Sequence, residues 1–109
     1  MKNKKKKTRV IHVLDRRTVP GPDYVYIGRP SMWGNPHPIG SLCPRCQVRH
    51  TRTEAIAAFN IDFLKDKKLQ RAAIQYLCGR VLGCWCVPAP CHGHIYVKFC
   101  NAVLDALES

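Results

Sequence analysis

A chain of 109 residues with 46% hydrophobic content has room for one domain with a single modest core, and it contains no run of about 18 apolar residues that would span a bilayer. The N-terminus lacks the apolar stretch and small-residue cleavage site of a secretory signal, so a cytoplasmic location is expected, where reducing conditions keep the seven cysteines as thiols. Eighteen Lys and Arg against seven Asp and Glu give a formal charge of +11, which makes a polyanion, nucleic acid first, the natural electrostatic partner.

Residues 1–8 carry the run Lys2, Lys4, Lys5, Lys6 and Lys7 and are expected to form a disordered basic arm, useful for general phosphate affinity or only for solubility. A single α/β domain is expected over residues 9–109. The β-branched cluster Val10, Ile11 and Val13 predicts a strand over 9–15, ended by Pro20-Gly21-Pro22, and a second strand over 24–28 alternates Val25 and Ile27 with Tyr24 and Tyr26. From Arg29 to Thr51 the chain is rich in Pro, Gly, Asn and Ser. A loop of this length in so small a domain is expected to be functional or held by some other device.

Thr51 followed by Glu54 is a capping-box signature, predicting a helix to about Asp66 with Ile56, Phe59, Phe63 and Leu64 on one stripe. A second helix from Lys68 repeats the pattern with Leu69, Ala72, Ala73, Tyr76 and Leu77, and Gly79 ends it. Val81 to Cys86 reads as a third, buried strand. Pro88 and Pro90 break the chain before a last helix over 92–107 whose core face is Ile95, Phe99, Val103 and Leu107. The order predicts a small three-stranded mixed sheet packed by about three helices, with a zinc-stabilised loop.

Two segments carry chemistry. Cys43-Pro44-Arg45-Cys46 is a C-x2-C turn that brings two thiolates onto one metal ion, with His50 in reach; His37 is the nearest fourth ligand, and Cys84, Cys86 or Cys91 are alternatives from across the fold. A tetrahedral zinc would order a loop that has no apolar core, and without one this is a mobile loop with ordinary thiols. Haem attachment is excluded because Gln47, not His, follows Cys46, and a zinc deaminase is excluded because no His is followed two residues later by Glu.

The second segment, Cys84 to His94, leaves a buried strand and enters a helix, the place where α/β folds put binding crevices and where free amides favour an anion. Cys91 or Cys86 reads as nucleophile or ligand and His92 as acid/base or second ligand, with Cys84 and Cys86 on one face. Cysteine is also a good small hydrophobe, which suits Cys78 and Cys100, and Cys84 as an alternative to its ligand role, as plain core.

These residues resemble a known family. Tyr26 to Pro36 (YIGRPSMWGNP) and Cys84 to Gly93 (CWCVPAPCHG) are similar to the two signature blocks of domain-of-unknown-function family 4326, whose members occur in bacteria and bacteriophages. His94 stands where the family typically has Asp, His37 where Phe is common, and the Cys43 to His50 segment resembles only some members. The resemblance implies an architecture and a site and no reaction. In the first block Arg29 suits anionic oxygens, Trp33 suits stacking and Asn35 suits hydrogen bonding, as a nucleotide would need, with His94 added from the second block; the same block also reads as a rigid turn with Trp33 in the core.

Three functions follow: a zinc-containing domain binding nucleic acid or a nucleotide-like ligand; an enzyme on such a ligand using Cys91 or Cys86, His92 and Asn35; or an interaction module aimed at a host protein, with structural zinc. No membrane partner is expected, and no oligomeric state is assigned.

Overall fold

The computed structural model describes residues 7–108, so most of the expected basic arm lies outside the described residues. Thr8, assigned above to that arm, is buried: its hydroxyl accepts from the Gly79 amide, while its backbone exchanges two hydrogen bonds with Asn101.

Strand β1 (Arg9–His12) runs into a 3-10 turn at Val13–Thr18, and a second such turn at Gly21–Asp23 leads to β2 (Tyr24–Tyr26). Helices α1 (Arg52–Lys65) and α2 (Lys67–Tyr76) precede β3 (Val81–Cys84), and α3 (Gly93–Glu108) closes the chain. Among the described residues no helix is long and apolar enough to cross a membrane.

The sheet is all parallel, not mixed, with β3 between β1 and β2. The turns over residues 13–23 carry the chain back to the starting edge, so β1 and β2 enter the sheet in the same direction and pair with β3 instead of with each other. Both neighbours align to β3 from Val81, with Arg9 and Tyr24 facing it on either side. A central parallel strand is covered on both faces, which is why Val81-Leu82-Gly83-Cys84 is buried throughout. A Cβ at Gly83 would run into the Tyr24 ring, which lies across it and would have to move aside.

Thr51 and Glu54 form the expected capping box, with the Glu54 amide donating to the Thr51 hydroxyl at 3.2 Å and the Thr51 amide donating to the Glu54 carboxylate at 2.9 Å. Asp66 ends α1 and caps α2 by accepting from the Leu69 amide. Helix α3 packs on β1 and β3, α2 on α3, and α1 on α2. Their shared core is aromatic: the Tyr96 ring lies edge-on to Phe63 and Phe59 at 5.5 and 5.4 Å, and Phe99 edge-on to Phe63 at 5.0 Å.

The buried stripes are narrower than the patterns predict. In α3 they fall on Tyr96, Cys100 and Leu104, one position after Ile95, Phe99 and Val103; Ile95 and Phe99 pack against the core's edge, Val103 is half-buried and Leu107 is exposed. Leu64 and Tyr76 are likewise exposed because Phe63 and Leu77 take the inward direction. Cys100 and Cys78 behave as core: their thiols point at the Ala73 and Cys100 carbonyls, and burial pushes the Cys100 thiol far up.

Candidate metal centre and adjoining cavity

The loop from Arg29 to Thr51 has no core of its own and is organised around polar atoms. A short pairing of Leu42 with Arg49, and of Ile39 with His50, folds it into a knuckle, closed by Cys43 N to Val48 O and Gln47 N to Cys43 O, both 2.8 Å. Gln47 takes a left-handed conformation at φ 62°, so that the turn after Cys46 can reverse direction.

This knuckle brings His37, Cys43, Cys46 and His50 together, with one ligand atom from each lying within 4.8 Å of the others. The group could hold a metal ion, and two further contacts fit that role. His50 Nε2 is buried with no hydrogen-bond partner, the state of a nitrogen whose lone pair is meant for something other than the protein. His37 Nε2 lies 2.6 Å from Asp62 Oδ2, so the ring is held with its proton on Nε2 and Nδ1 turned toward Cys43 and Cys46 at 3.3 and 3.5 Å. A carboxylate behind a ligating imidazole is the usual outer partner of a metal site.

The thiols are tuned unequally. Desolvation opposes ionisation of Cys43, but the Cys46 and Arg45 amides and the His37 ring outweigh it and bring its thiol down to about 6. Burial and the neighbouring Cys43 push Cys46 the other way.

Cys84, Cys86 and Cys91 form a second group that could hold a metal, again with sulfurs within 4.8 Å of one another. Cys84 ends β3; Trp85 turns outward; and Cys86 follows on the inner side of the bend, so the two cysteines do share a side. Cys84 and Cys91 are paired as a disulfide, which corrects the expectation that all seven cysteines stand as free thiols. The Gly93 amide donates to Cys91 Sγ at 3.3 Å. The start of α3, expected to offer its amides to an anion, thus gives this first one to a sulfur.

The two groups stand apart, and the fourth member of the knuckle group is His37, not a cysteine from across the fold. A cavity of about 280 Å³ lies between them, at the C-terminal ends of β2 and β3, touching His37 on one side and all three cysteines of the second group on the other. Arg29, Arg52 and Trp85 also line it.

Several expected site residues take other posts. Trp33 is buried, edge-on to Tyr96 at 5.8 Å, while Trp85 is 61% exposed at the cavity with its indole N–H donating to the Tyr26 hydroxyl. Both polar ends of Asn35 are used internally, since Nδ2 donates to the Ala55 carbonyl and Oδ1 accepts from the His37 amide. Asn35 therefore ties the knuckle to α1. Arg29 Nε donates to the Asn35 carbonyl at 2.9 Å, which braces the loop and sets the guanidinium at the cavity. The His94 ring does not line the cavity; its Nδ1 accepts from the Cys91 amide at the exposed helix start.

His92 is buried, with Nε2 at 2.9 and 3.1 Å from the Ile27 and Trp33 carbonyls, and burial holds its pKa below the ordinary imidazole value. Facing two acceptors, Nε2 must carry the proton, which leaves the Nδ1 lone pair facing Cys91 Sγ at 3.5 Å. Asp62, Arg52 and Trp85 went unrecognised in the sequence. Asp62 is 25 residues from His37 and only folding pairs them, whereas outward-pointing Trp85 between inward Cys84 and Cys86 was readable from strand alternation.

Together these features define a small all-parallel α/β domain with two thiol-bearing groups and a cavity at the carboxyl edge of its sheet. A model of the family described as "Domain of unknown function (DUF4326)" matches residues 11–102, and the chain belongs to that family. It is 35% identical over 80 residues, 71% of this chain and 67% of the other, to a protein of Enterobacteria phage T4 named "Uncharacterized 12.4 kDa protein in nrdA-td intergenic region". No solved structure gives a significant match.

Proposed function

We propose that the domain binds a nucleotide unit, free or at an unpaired position of a nucleic-acid strand, in the cavity between the two cysteine groups, with zinc in the His37, Cys43, Cys46 and His50 group holding one wall. Support comes above all from the convergence of Arg29, Arg52 and exposed Trp85 on that one cavity. Guanidinium groups recognise phosphate oxygens in a bidentate fork, and an open indole face stacks on any base. At about 280 Å³ the cavity falls just under the ~300–1,000 Å³ of small-molecule sites, which suits one nucleotide and excludes a duplex. The +11 charge adds attraction to any phosphate polymer.

Two thiolates and two imidazoles are a donor set for tetrahedral zinc, and four protein ligands leave no position for a reactant. The metal's contribution is therefore to fix the loop that carries Asn35, His37 and, through its bracing, Arg29.

Titrating zinc-loaded protein with mononucleotides, single-stranded oligonucleotides and duplex while following tryptophan fluorescence tests this reading. Trp85 should be quenched by the first two, the quench should vanish in Trp85→Phe, and affinity should fall in an Arg29→Ala/Arg52→Ala variant. For oligonucleotides each phosphate contact should add roughly 0.7 to the slope of log affinity against log salt. Absence of any quench at millimolar nucleotide, or an unchanged affinity in the double arginine variant, would overturn it.

An enzymatic reading rests on one contact: the two carbonyls that hold His92 Nε2 aim Nδ1 at Cys91, so that once the bond to Cys84 is reduced the ring is set to accept the thiol proton. It requires that Cys91→Ser abolish conversion of a mononucleotide, followed by chromatography, at unchanged melting temperature. No conversion by the wild type would dispose of it.

A further inference from the structure

We propose that Cys84, Cys86 and Cys91 form a second metal site, a trithiolate for a soft cation such as Zn2+ or Cu+, with its remaining coordination position open to the cavity. This does not rest on the nucleotide reading and concerns residues that the knuckle leaves unused.

The spacing C-x-C-x4-C supplies the three sulfurs from the last residue of β3, the bend after it and the turn before α3. All three lie within 4.8 Å of one another and all three line the cavity. In the structure Cys84 and Cys91 are paired as a disulfide, so the trithiolate site is that of the reduced chain. Their Cα atoms are 7.5 Å apart, whereas disulfides bring Cα atoms to ~4.4–6.8 Å. Two thiolates on one zinc ion at ~2.3 Å each sit about 3.8 Å apart in a tetrahedron, which accommodates the wider backbone spacing. A disulfide would also leave Cys86, half-buried beside the pair, with no task.

Charge favours the thiolate form as well. The Gly93 amide donates to Cys91 Sγ at the start of the 16-residue α3, where the helix end is positive. Three thiolates around a divalent ion leave one net negative charge, and Arg29 and Arg52 stand at the same cavity to offset it. Soft sulfur ligands select soft metals over magnesium or calcium. Three protein ligands with one open position are the arrangement of a site that exchanges a guest, in contrast to the closed four-ligand knuckle.

The test is cobalt loading of the full chain, purified anaerobically under reducing conditions, with metal counted per chain and thiolate-to-cobalt absorbance recorded. Wild type should hold two equivalents. Cys43→Ser/Cys46→Ser should keep one, with a thiolate band, and Cys86→Ser should lose one while keeping the knuckle ion. A single wild-type equivalent that disappears entirely in Cys43→Ser/Cys46→Ser would overturn the proposal. So would recovery of a Cys84–Cys91 disulfide by peptide mapping of the same preparation. A single equivalent that survives in that double variant but is lost in Cys86→Ser would support this site and remove the knuckle instead. Should a variant fail to fold, the wild-type stoichiometry decides alone.

Discussion

Asp62→Asn should weaken zinc binding about tenfold, and the reason lies in one hydrogen bond. Asp62 Oδ2 is 2.6 Å from His37 Nε2, short enough to be charge-assisted, and the His37 side chain is only 3% exposed, so nothing else competes for that proton. The carboxylate fixes the tautomer that leaves Nδ1 free for a cation. Outer partners of this kind are worth ~10–100-fold in metal affinity. Asp62 is 39% exposed, which places the effect at the lower end, roughly 1.4 kcal/mol. Asparagine keeps the shape and one oxygen acceptor while removing the charge. Competition against a chromophoric chelator would read the change. Arg45, whose guanidinium sits 3.5 Å from the same carboxylate on the exposed side, provides the control, because a surface pair contributes little. An Asp62→Asn affinity within twofold of wild type, or an equal loss in Arg45→Ala, would refute the reasoning.

Gln47→Gly should stabilise the knuckle by about 0.5–1 kcal/mol, since a left-handed residue with a Cβ costs ~1–2 kcal/mol and the exposed Gln47 bond to the Pro44 carbonyl returns only part of it; urea unfolding of zinc-loaded protein would show a higher midpoint. Tyr96→Phe should cost about 1–2 kcal/mol in the same assay, because the buried hydroxyl donates to the Trp33 carbonyl at 2.9 Å. In chelated protein, stability should fall with acid through two groups of the same sign. Cys43 is ionised in the fold down to about 6 against an ordinary 9.0, so its contribution is present above 9 and fades as pH drops through 6. His92, held neutral by burial, resists a proton that the unfolded chain accepts below about 6.5. Unfolding midpoints at pH 8 and pH 5.5 should differ less in Cys43→Ser and in His92→Gln than in wild type.

Local chemistry was the legible part of this chain. Thr51 and Glu54 cap α1 through bonds spanning three residues, and Cys43, Cys46, His50 and His37 lie within fourteen residues of chain, so spacing alone brings them near one another. What escaped depended on pairing across the fold. The parallel order follows from β3 entering between two earlier strands, which no local pattern encodes. Asp62 meets His37, and Asn35 meets Ala55, only after α1 docks on the loop. The sequence leaves Trp33 open between stacking on a ligand and filling the core, because its loop has no periodicity to aim it; Tyr96, one turn into α3, claims it for the core. The inward face of α3 missed by one position because a helix turn can be rotated slightly without changing its pattern, and the aromatic cluster around Phe63 decides the rotation.

The knuckle makes the most direct demand on experiment. Crystals of the full chain, measured on both sides of the zinc absorption edge, should show an anomalous peak at bonding distance from His37 Nδ1, Cys43 Sγ, Cys46 Sγ and His50 Nε2, ~2.0–2.3 Å from each. An empty map there, with His50 Nε2 bonded to water, would contradict the account.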